Sequence, residues 1–107
     1  MKSTQRNTYF ITGISTEVGK TIAAAIVTEA LEADYWKPIQ SGDLDKSDTH
    51  KVQKLVSNTT SVFHKNSYAL QTPISPHASA AIDGIQIDLQ KTVVPKTANH
   101  LVIEGAG

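Results

Sequence analysis

Three short segments carry side chains that could act together on a phosphate group. The first, GISTEVGKT at residues 13–21, nearly matches the pattern G-x-x-x-x-G-K-[ST], but five residues separate its glycines. In such a loop, backbone N–H groups and a helix N-terminus bind the anion. Lys20 would reach the β- and γ-phosphates, and the Thr21 hydroxyl would reach Mg²⁺. This segment predicts a nucleotide-phosphate site.

The other two segments, KPIQSGD at 37–43 and EGAG at 104–107, each follow a short apolar run. Ligands of an open α/β sheet gather at the carboxyl ends of its strands. Taken alone, Lys37 is better explained as a surface lysine, and Glu104 is as consistent with a solvated strand end as with a functional carboxylate. Asp48, in the first turn of a predicted helix, is explained locally by the helix dipole.

Strand-like and helix-like patterns alternate along the chain, which predicts an α/β fold with a mainly parallel sheet flanked by helices. In the first half, the predicted elements are strand 9–12, helix 20–33 with Ile22, Ile26 and Ala30 on one face, a short strand at 35–36 ended by Pro38, a loop at 39–46, and a helix with Ser47 as N-cap and Val52, Leu55 and Val56 on one face. The pattern at 61–72 is ambiguous, with an extended segment as one interpretation. The remaining elements are a helix with Ser75 as N-cap and Pro76 as its first residue, a helix from Asp88 to about Val94, and strand 101–103. Tyr35 and Trp36 are predicted to be core residues.

The composition excludes several classes of protein. Among 107 residues, ten basic and ten acidic side chains balance, which argues against a general nucleic-acid or membrane-surface binder. Cysteine is absent, so disulfides, thiolate catalysis and cysteine-bound metals are excluded, in keeping with a cytoplasmic protein. We expect residues 1–107 to form the N-terminal part of a single P-loop α/β domain whose remainder is missing. On that view, the strand at 101–103 would have a free edge.

The motifs TGISTEVGKT, YWKPIQSG, SD, TPISPH and VIEGAG, in this order, resemble dethiobiotin synthetase, the ATP-dependent enzyme next to last in biotin synthesis. The P-loop of that family carries the same extra residue. The resemblance implies a P-loop NTPase-like fold. It also implies ATP as co-substrate, Mg²⁺, a homodimer, and the ring-closing carboxylation of 7,8-diaminononanoate with CO₂ or bicarbonate.

The resemblance also assigns roles to individual residues. The ATP phosphates would be wrapped by the start of the helix after the loop, at Glu17, Val18, Gly19, Lys20, Thr21 and Ile22, and the nucleotide would be bordered by Asp48 and by the loop of Glu104, Gly105, Ala106 and Gly107. The resemblance implies that Mg²⁺ is held by Thr21, Asp48 and Glu104. It implies a catalytic role for Thr16, Lys20 and Lys37, and contact with the substrate for Thr16, Lys37 and Ser41. His77, in the SPH segment, is expected to have a structural role at a helix start.

The chemistry of these residue types agrees with the implied reaction. A carbamate that attacks a phosphate brings two anions together, so cations must flank them, and Lys20, Lys37 and Mg²⁺ would supply three. Two carboxylates and a hydroxyl are oxygen ligands of the kind Mg²⁺ prefers.

Other P-loop proteins remain as alternatives. A nucleotide-switch ATPase of the partitioning type would carry a lysine directly after the first glycine, where this chain has Ile14. A synthetase-like domain of a cobyrinate amidotransferase or a phosphotransacetylase has similar loops. A nonspecific P-loop binding module is the least informative alternative.

Overall fold

The computed structural model describes residues 6–12, 17–71, 76–88 and 92–105. Its elements are β1 (Thr8–Ile11), α1 (Glu17–Leu31), β2 (Asp34–Trp36), β3 (Ile39–Ser41), a 3₁₀ helix (Leu44–Lys46), α2 (Asp48–Leu55), β4 (Tyr68–Leu70), α3 (Pro76–Asp83) and β5 (Leu101–Glu104). None of the helices in the described ranges is long and apolar enough to cross a membrane.

The main sheet has three parallel strands in the order β1-β5-β2. This arrangement, with helices packed against it, confirms the predicted α/β class. β5 lies in the middle, paired with β1 on one side and β2 on the other, and all four of its residues are buried. The expectation of a free edge at 101–103 is therefore wrong: β1, not β5, lies at an end of this sheet.

Alternating side chains sort the sheet residues onto two faces. Tyr35 and Val102 pack into the core against α1 and α2, where Ala24, Ala25 and Val52 are also buried. Trp36 faces the other way and clusters with Leu101 and Ile103. The same alternation places Lys37 and Glu104 on the face of Tyr35 and Val102, toward the helices.

The chain leaves the main sheet at Pro38, as predicted, but it does not continue as a loop. Residues 39–41 form β3, which pairs in parallel with β4 in a second, two-stranded sheet, so the predicted loop at 39–46 is wrong at its start. The segment before β4 runs alongside β2, where the Tyr35 N–H donates to the Val62 carbonyl at 3.0 Å. The segment at 61–72, which the sequence left ambiguous, thus pairs with β2 at Phe63 and forms β4 at 68–70.

The helices begin close to their predicted starts. α1 begins at Glu17, three residues earlier than predicted, and Ile26 on its predicted face is 63% exposed. Because α1 is apolar nearly all round, periodicity did not single out the face that is buried, which carries Ala24 and Thr28.

Three further predictions concern the other helices. Pro76 is the first residue of α3, as predicted, whereas Ser75 lies outside the described residues. The helix predicted from Asp88 to about Val94 is not seen in its described parts, because 85–88 and 92–97 are irregular. Within α2, Val52 is buried but Leu55 is 58% exposed, so the predicted apolar face was only partly right.

Candidate active site

The first part of the site is the start of α1. The loop residues 13–16, which include the predicted substrate contact Thr16, lie outside the described residues. Lys20 and Thr21, in the first turns of α1, are buried at 7% and 3% exposure. The start of α1 and these two side chains lie beyond the carboxyl end of β1, where a phosphate site of this fold class is expected.

Lys37 lies at the centre of a buried group of charges. The sheet register pairs Trp36 with Ile103, so the next residues along the two strands, Lys37 and Glu104, come level with each other. The Lys37 Nζ forms an ion pair with Asp48 Oδ2 and lies 3.6 Å from Glu104 Oε2. Lys37 is only 4% exposed, so its explanation as a surface lysine is wrong.

Asp48 reaches this group because three contacts fix the start of α2. Ser47 is the N-cap, and its hydroxyl accepts from the His50 N–H at 3.3 Å while His50 Nδ1 accepts from the Ser47 N–H at 3.1 Å. The Asp48 N–H donates to Gln40 Oε1 at 3.1 Å. Since Ser47 caps the helix and Asp48 is 4% exposed, the dipole alone does not explain this carboxylate.

Glu104 is fully buried, and its two oxygens have different neighbours. Oε1 accepts from the Tyr35 hydroxyl at 2.6 Å, and Oε2 accepts from the Thr21 hydroxyl at 3.0 Å. Thr21, Lys37 and Glu104 therefore meet at one place, although they come from three separate elements of the chain.

Burial and charge act differently on the two carboxyl groups. Burial raises the pKa of Glu104 above its ordinary value, although the Tyr35 hydrogen bond and the Lys37 charge oppose this effect. Burial also acts on Asp48, but there the Lys37 hydrogen bond and charge outweigh it, so the pKa of Asp48 lies below its ordinary value. Perturbed carboxyl groups that share one buried lysine are typical of functional sites.

The oxygen donors of this group suit a hard cation that takes its remaining ligands from a bound molecule. Two carboxylates and the Thr21 hydroxyl converge, and Lys51 Nζ lies 3.8 Å from the second oxygen of Asp48. Among the described residues, no group of three or more His, Cys, Asp or Glu side chains could hold a metal ion by itself. Mg²⁺ in nucleotide enzymes is held by one or two carboxylates plus substrate phosphates, so this smaller set is sufficient in kind.

The remaining predicted residues are spread around this cluster. Glu17, Val18, Gly19 and Ile22 belong to the first two turns of α1. Ser41, at the end of β3, has a buried hydroxyl with no hydrogen-bond partner among the described residues. The Gly105 N–H donates to the Ile11 carbonyl at 2.9 Å, which extends the pairing of β5 with β1. Ala106 and Gly107 lie outside the described residues, as does the side chain of His77.

Sequence reasoning missed three residues that hold the cluster in place. Tyr35 was predicted to be core only, yet its hydroxyl contacts Glu104. Gln40 stood in a quoted motif without a role. Asn66 donates from Nδ2 to the Lys37 carbonyl at 2.6 Å, just before the proline that interrupts β2. Their signal in the sequence was weak, because each acts through a partner distant in the chain or through the backbone.

The parallel sheet, the helix after β1 and the buried Lys-Thr pair define a P-loop NTPase-like protein. A family model described as an AAA domain matches residues 7–107, and the chain belongs to that family. It is 67% identical over 99 residues to the ATP-dependent dethiobiotin synthetase BioD of Christiangramia forsetii, and 48% identical over 100 residues to the BioD of Cytophaga hutchinsonii. It is also 43% identical over 99 residues to the biotin biosynthesis bifunctional protein BioCD of Bordetella avium.

Each of these matches covers 92% of this chain. The chain spans 48% of the length of both BioD relatives and 21% of the bifunctional protein. The resemblance to dethiobiotin synthetase inferred from the motifs is thus confirmed, over a stretch that is about half the length of the BioD relatives.

Proposed function

We propose that the protein carrying this chain is an ATP- and Mg²⁺-dependent dethiobiotin synthetase. The reaction would convert 7,8-diaminononanoate, CO₂ and ATP into dethiobiotin, ADP and phosphate. The observation that carries the proposal is the buried contact of Lys37 with Asp48 and Glu104, next to Thr21 of α1. The names of relatives whose matches cover 92% of this chain support dethiobiotin synthesis as the activity, and the details of the reaction come from the resemblance to the family.

The proposed chemistry begins with capture of CO₂ by one amine of the diamine, which forms a carbamate. A carbamate oxygen attacks the γ-phosphorus of ATP, ADP leaves, and a mixed carbamic-phosphoric anhydride results. The second amine then attacks the carbamate carbon, and phosphate departs as the cyclic urea closes. Both phosphoryl transfer and ring closure move negative charge, so positioned cations are the expected catalysts.

Each residue of the cluster has a role in this scheme. Lys20, buried in α1, would bind the β- and γ-phosphate oxygens, and Lys37 would stabilise charge on the carbamate and the anhydride. Thr21, Asp48 and Glu104 would hold Mg²⁺. When bound, Mg²⁺ would neutralise charge on the transferred phosphoryl group.

Further parts of the proposal rest on the resemblance to the family. Thr16 and Ser41 would contact the diamine, and the loop after β5 would border the nucleotide. A homodimer and a cytoplasmic location are expected on the same basis. A partitioning-type switch is less well supported, because it would give the buried Lys37 no role.

The proposal is tested by phosphate release and dethiobiotin detection on the full-length protein. We expect turnover only when diaminononanoate, bicarbonate and MgATP are all present. ATP hydrolysis that is unaffected by the diamine would contradict the proposal and favour a switch ATPase. Glutamine-dependent amide formation would instead favour the amidotransferase alternative.

A further inference from the structure

We propose that Tyr35 is a positioning residue for the proposed metal ligand Glu104. Its hydroxyl would hold one carboxylate oxygen, so that the other faces the cation. This inference rests on the proposed function for the identity of the cation, but not for the geometry. Neither the motif resemblance nor the names of the relatives assigns a role to Tyr35.

The two oxygens of Glu104 are already distinguished by their contacts. Oε1 accepts from the Tyr35 hydroxyl at 2.6 Å, on the side of the core. Oε2 accepts from Thr21 at 3.0 Å and lies 3.6 Å from the Lys37 ammonium, on the side of the candidate site. A carboxylate held this way presents a fixed oxygen to a cation, whereas an untethered one could rotate about its last bond.

The role of the Tyr35 hydroxyl can be distinguished from the role of the Tyr35 ring. The ring packs in the core, 6.3 Å from the ring of Phe63, and the residue is fully buried. A phenylalanine would fill the same space. The hydroxyl adds a buried polar group, which is costly unless it is hydrogen-bonded, and Glu104 is the acceptor that offsets that cost.

The contact is short and lies entirely inside the protein. The Tyr35 hydroxyl donates to Glu104 Oε1 at 2.6 Å, and both residues are fully buried. Residues that orient metal ligands in this way typically change metal affinity or activity by about 10–100-fold when they are replaced.

The test compares Tyr35→Phe with Tyr9→Phe in the full-length protein. Tyr9 lies on β1, which flanks β5 on the side opposite to β2, and it packs against the same core; its hydroxyl accepts from Asn7 Nδ2 at 3.3 Å. The probe is Mn²⁺ in the presence of ADP, and electron paramagnetic resonance measures how much of the Mn²⁺ is bound. We expect Tyr35→Phe to weaken Mn²⁺ binding by about 10-fold or more, and Tyr9→Phe to leave it unchanged.

A double-mutant cycle tests whether Tyr35 acts through Glu104. In a Glu104→Gln background, Tyr35→Phe should cause no further loss of Mn²⁺ affinity. The same loss in both backgrounds would overturn the proposal, as would parent-like Mn²⁺ binding by Tyr35→Phe or an equal loss in Tyr9→Phe. Since no diamine is used, the result decides the role of Tyr35 even if the parent makes no dethiobiotin.

Discussion

At the scale of single residues, Lys37 is the side chain on which the candidate site depends. It is buried and contacts Asp48 and Glu104, two carboxylates that come from α2 and β5. Burying three charges is costly unless they satisfy one another or serve a ligand. In the proposed reaction the ligand is itself anionic, and Lys37 and Lys20 would face it together.

Replacing Lys37 by glutamine should slow the chemical step much more than it weakens ATP binding. A cation beside the developing anhydride acts mainly in the transition state, and loss of one such group costs about 10²–10³ in kcat. Steady-state kinetics and nucleotide titration measure the two effects. Lys65→Gln, which removes an exposed charge from the segment beside β2, is the matched control. A change in diamine KM with normal kcat would make Lys37 a binding residue instead.

Replacing Asp48 by asparagine should raise the Mg²⁺ concentration needed for half-maximal activity. One of two carboxylates near the ion would lose its charge, while the hydrogen bond from the Asp48 N–H to Gln40 would remain possible. Asp45→Asn, at an exposed position of the 3₁₀ helix, is the control. A Mg²⁺ titration that overlays the parent curve would return Asp48 to a role in charge balance at the helix start.

The sequence predicted the charged residues of this cluster better than it predicted the residues that hold them in place. Lys37 and Glu104 could be placed together because strand ends of a parallel sheet share one edge, and Asp48 was added to them by the resemblance to a family. Tyr35 could not, since a buried aromatic on a short strand looks like core. Its partner stands 69 positions away, and only the register of β2 on β5 brings the two together.

At the scale of elements, Glu29 links α1 to the turn after α2. Its carboxylate accepts from the Ser57 N–H at 2.9 Å, the Asn58 N–H at 3.1 Å and Asn58 Nδ2 at 2.7 Å, and from the Ser57 hydroxyl. These hydrogen bonds, from Ser57 first and then Asn58, lower the pKa of Glu29 to about 2. The turn therefore stays next to α1 by binding the ionised form.

This contact predicts a pH-dependent contribution to stability. Because the folded pKa of about 2 is below the ordinary value of 4.5, the contribution is complete above pH 4.5 and is lost as the pH falls toward 2. The free energies of unfolding of Glu29→Gln and the parent, measured with urea, should therefore differ most above pH 4.5 and converge as the pH falls toward 2. Glu32→Gln, whose carboxylate accepts from Thr60 Oγ1 at 3.2 Å, should show a smaller difference. A pH-independent difference for Glu29→Gln would contradict this reading.

The elements that the sequence predicted well are those with a strong local signal. The start of α2 was predicted from the Ser47 cap, and α1 was predicted from the glycine-bounded loop before it. Apolar runs in the sequence predicted β1 and β5. The second sheet was missed because β3 and β4 are three residues each and one of them directly follows Pro38. Such short strands are stabilised by their pairing and by α3, which no local pattern reveals.

At the scale of the whole molecule, β1 presents an open side. It pairs with β5 on one side, and no strand among the described residues lies on the other. Phe10 in β1 is 64% exposed, and Ile22 and Ile26 of α1 are 46% and 63% exposed. Exposed apolar strands at a sheet edge are prone to pair with other chains.

We expect residues 1–107, expressed alone, to self-associate through this edge and to be inactive. Phe10→Lys should reduce association, since a charge on an edge strand opposes pairing. Val93→Lys, which alters a 72% exposed residue outside the strands, should reduce it less. Light scattering and sedimentation measure the outcome. A monomeric, cooperatively unfolding chain that forms dethiobiotin would contradict this expectation.

The central claim is that the site couples CO₂ capture to phosphoryl transfer, and the transfer of oxygen tests it most directly. In the proposed scheme a carbamate oxygen, derived from bicarbonate, attacks the γ-phosphorus and leaves with the phosphate on ring closure. Bicarbonate labelled with ¹⁸O, used before it exchanges with water, should therefore place one labelled oxygen in each phosphate released with dethiobiotin. Mass spectrometry of the phosphate gives the answer. Unlabelled phosphate formed alongside dethiobiotin would contradict attack by the carbamate, and with it the role proposed for Lys37.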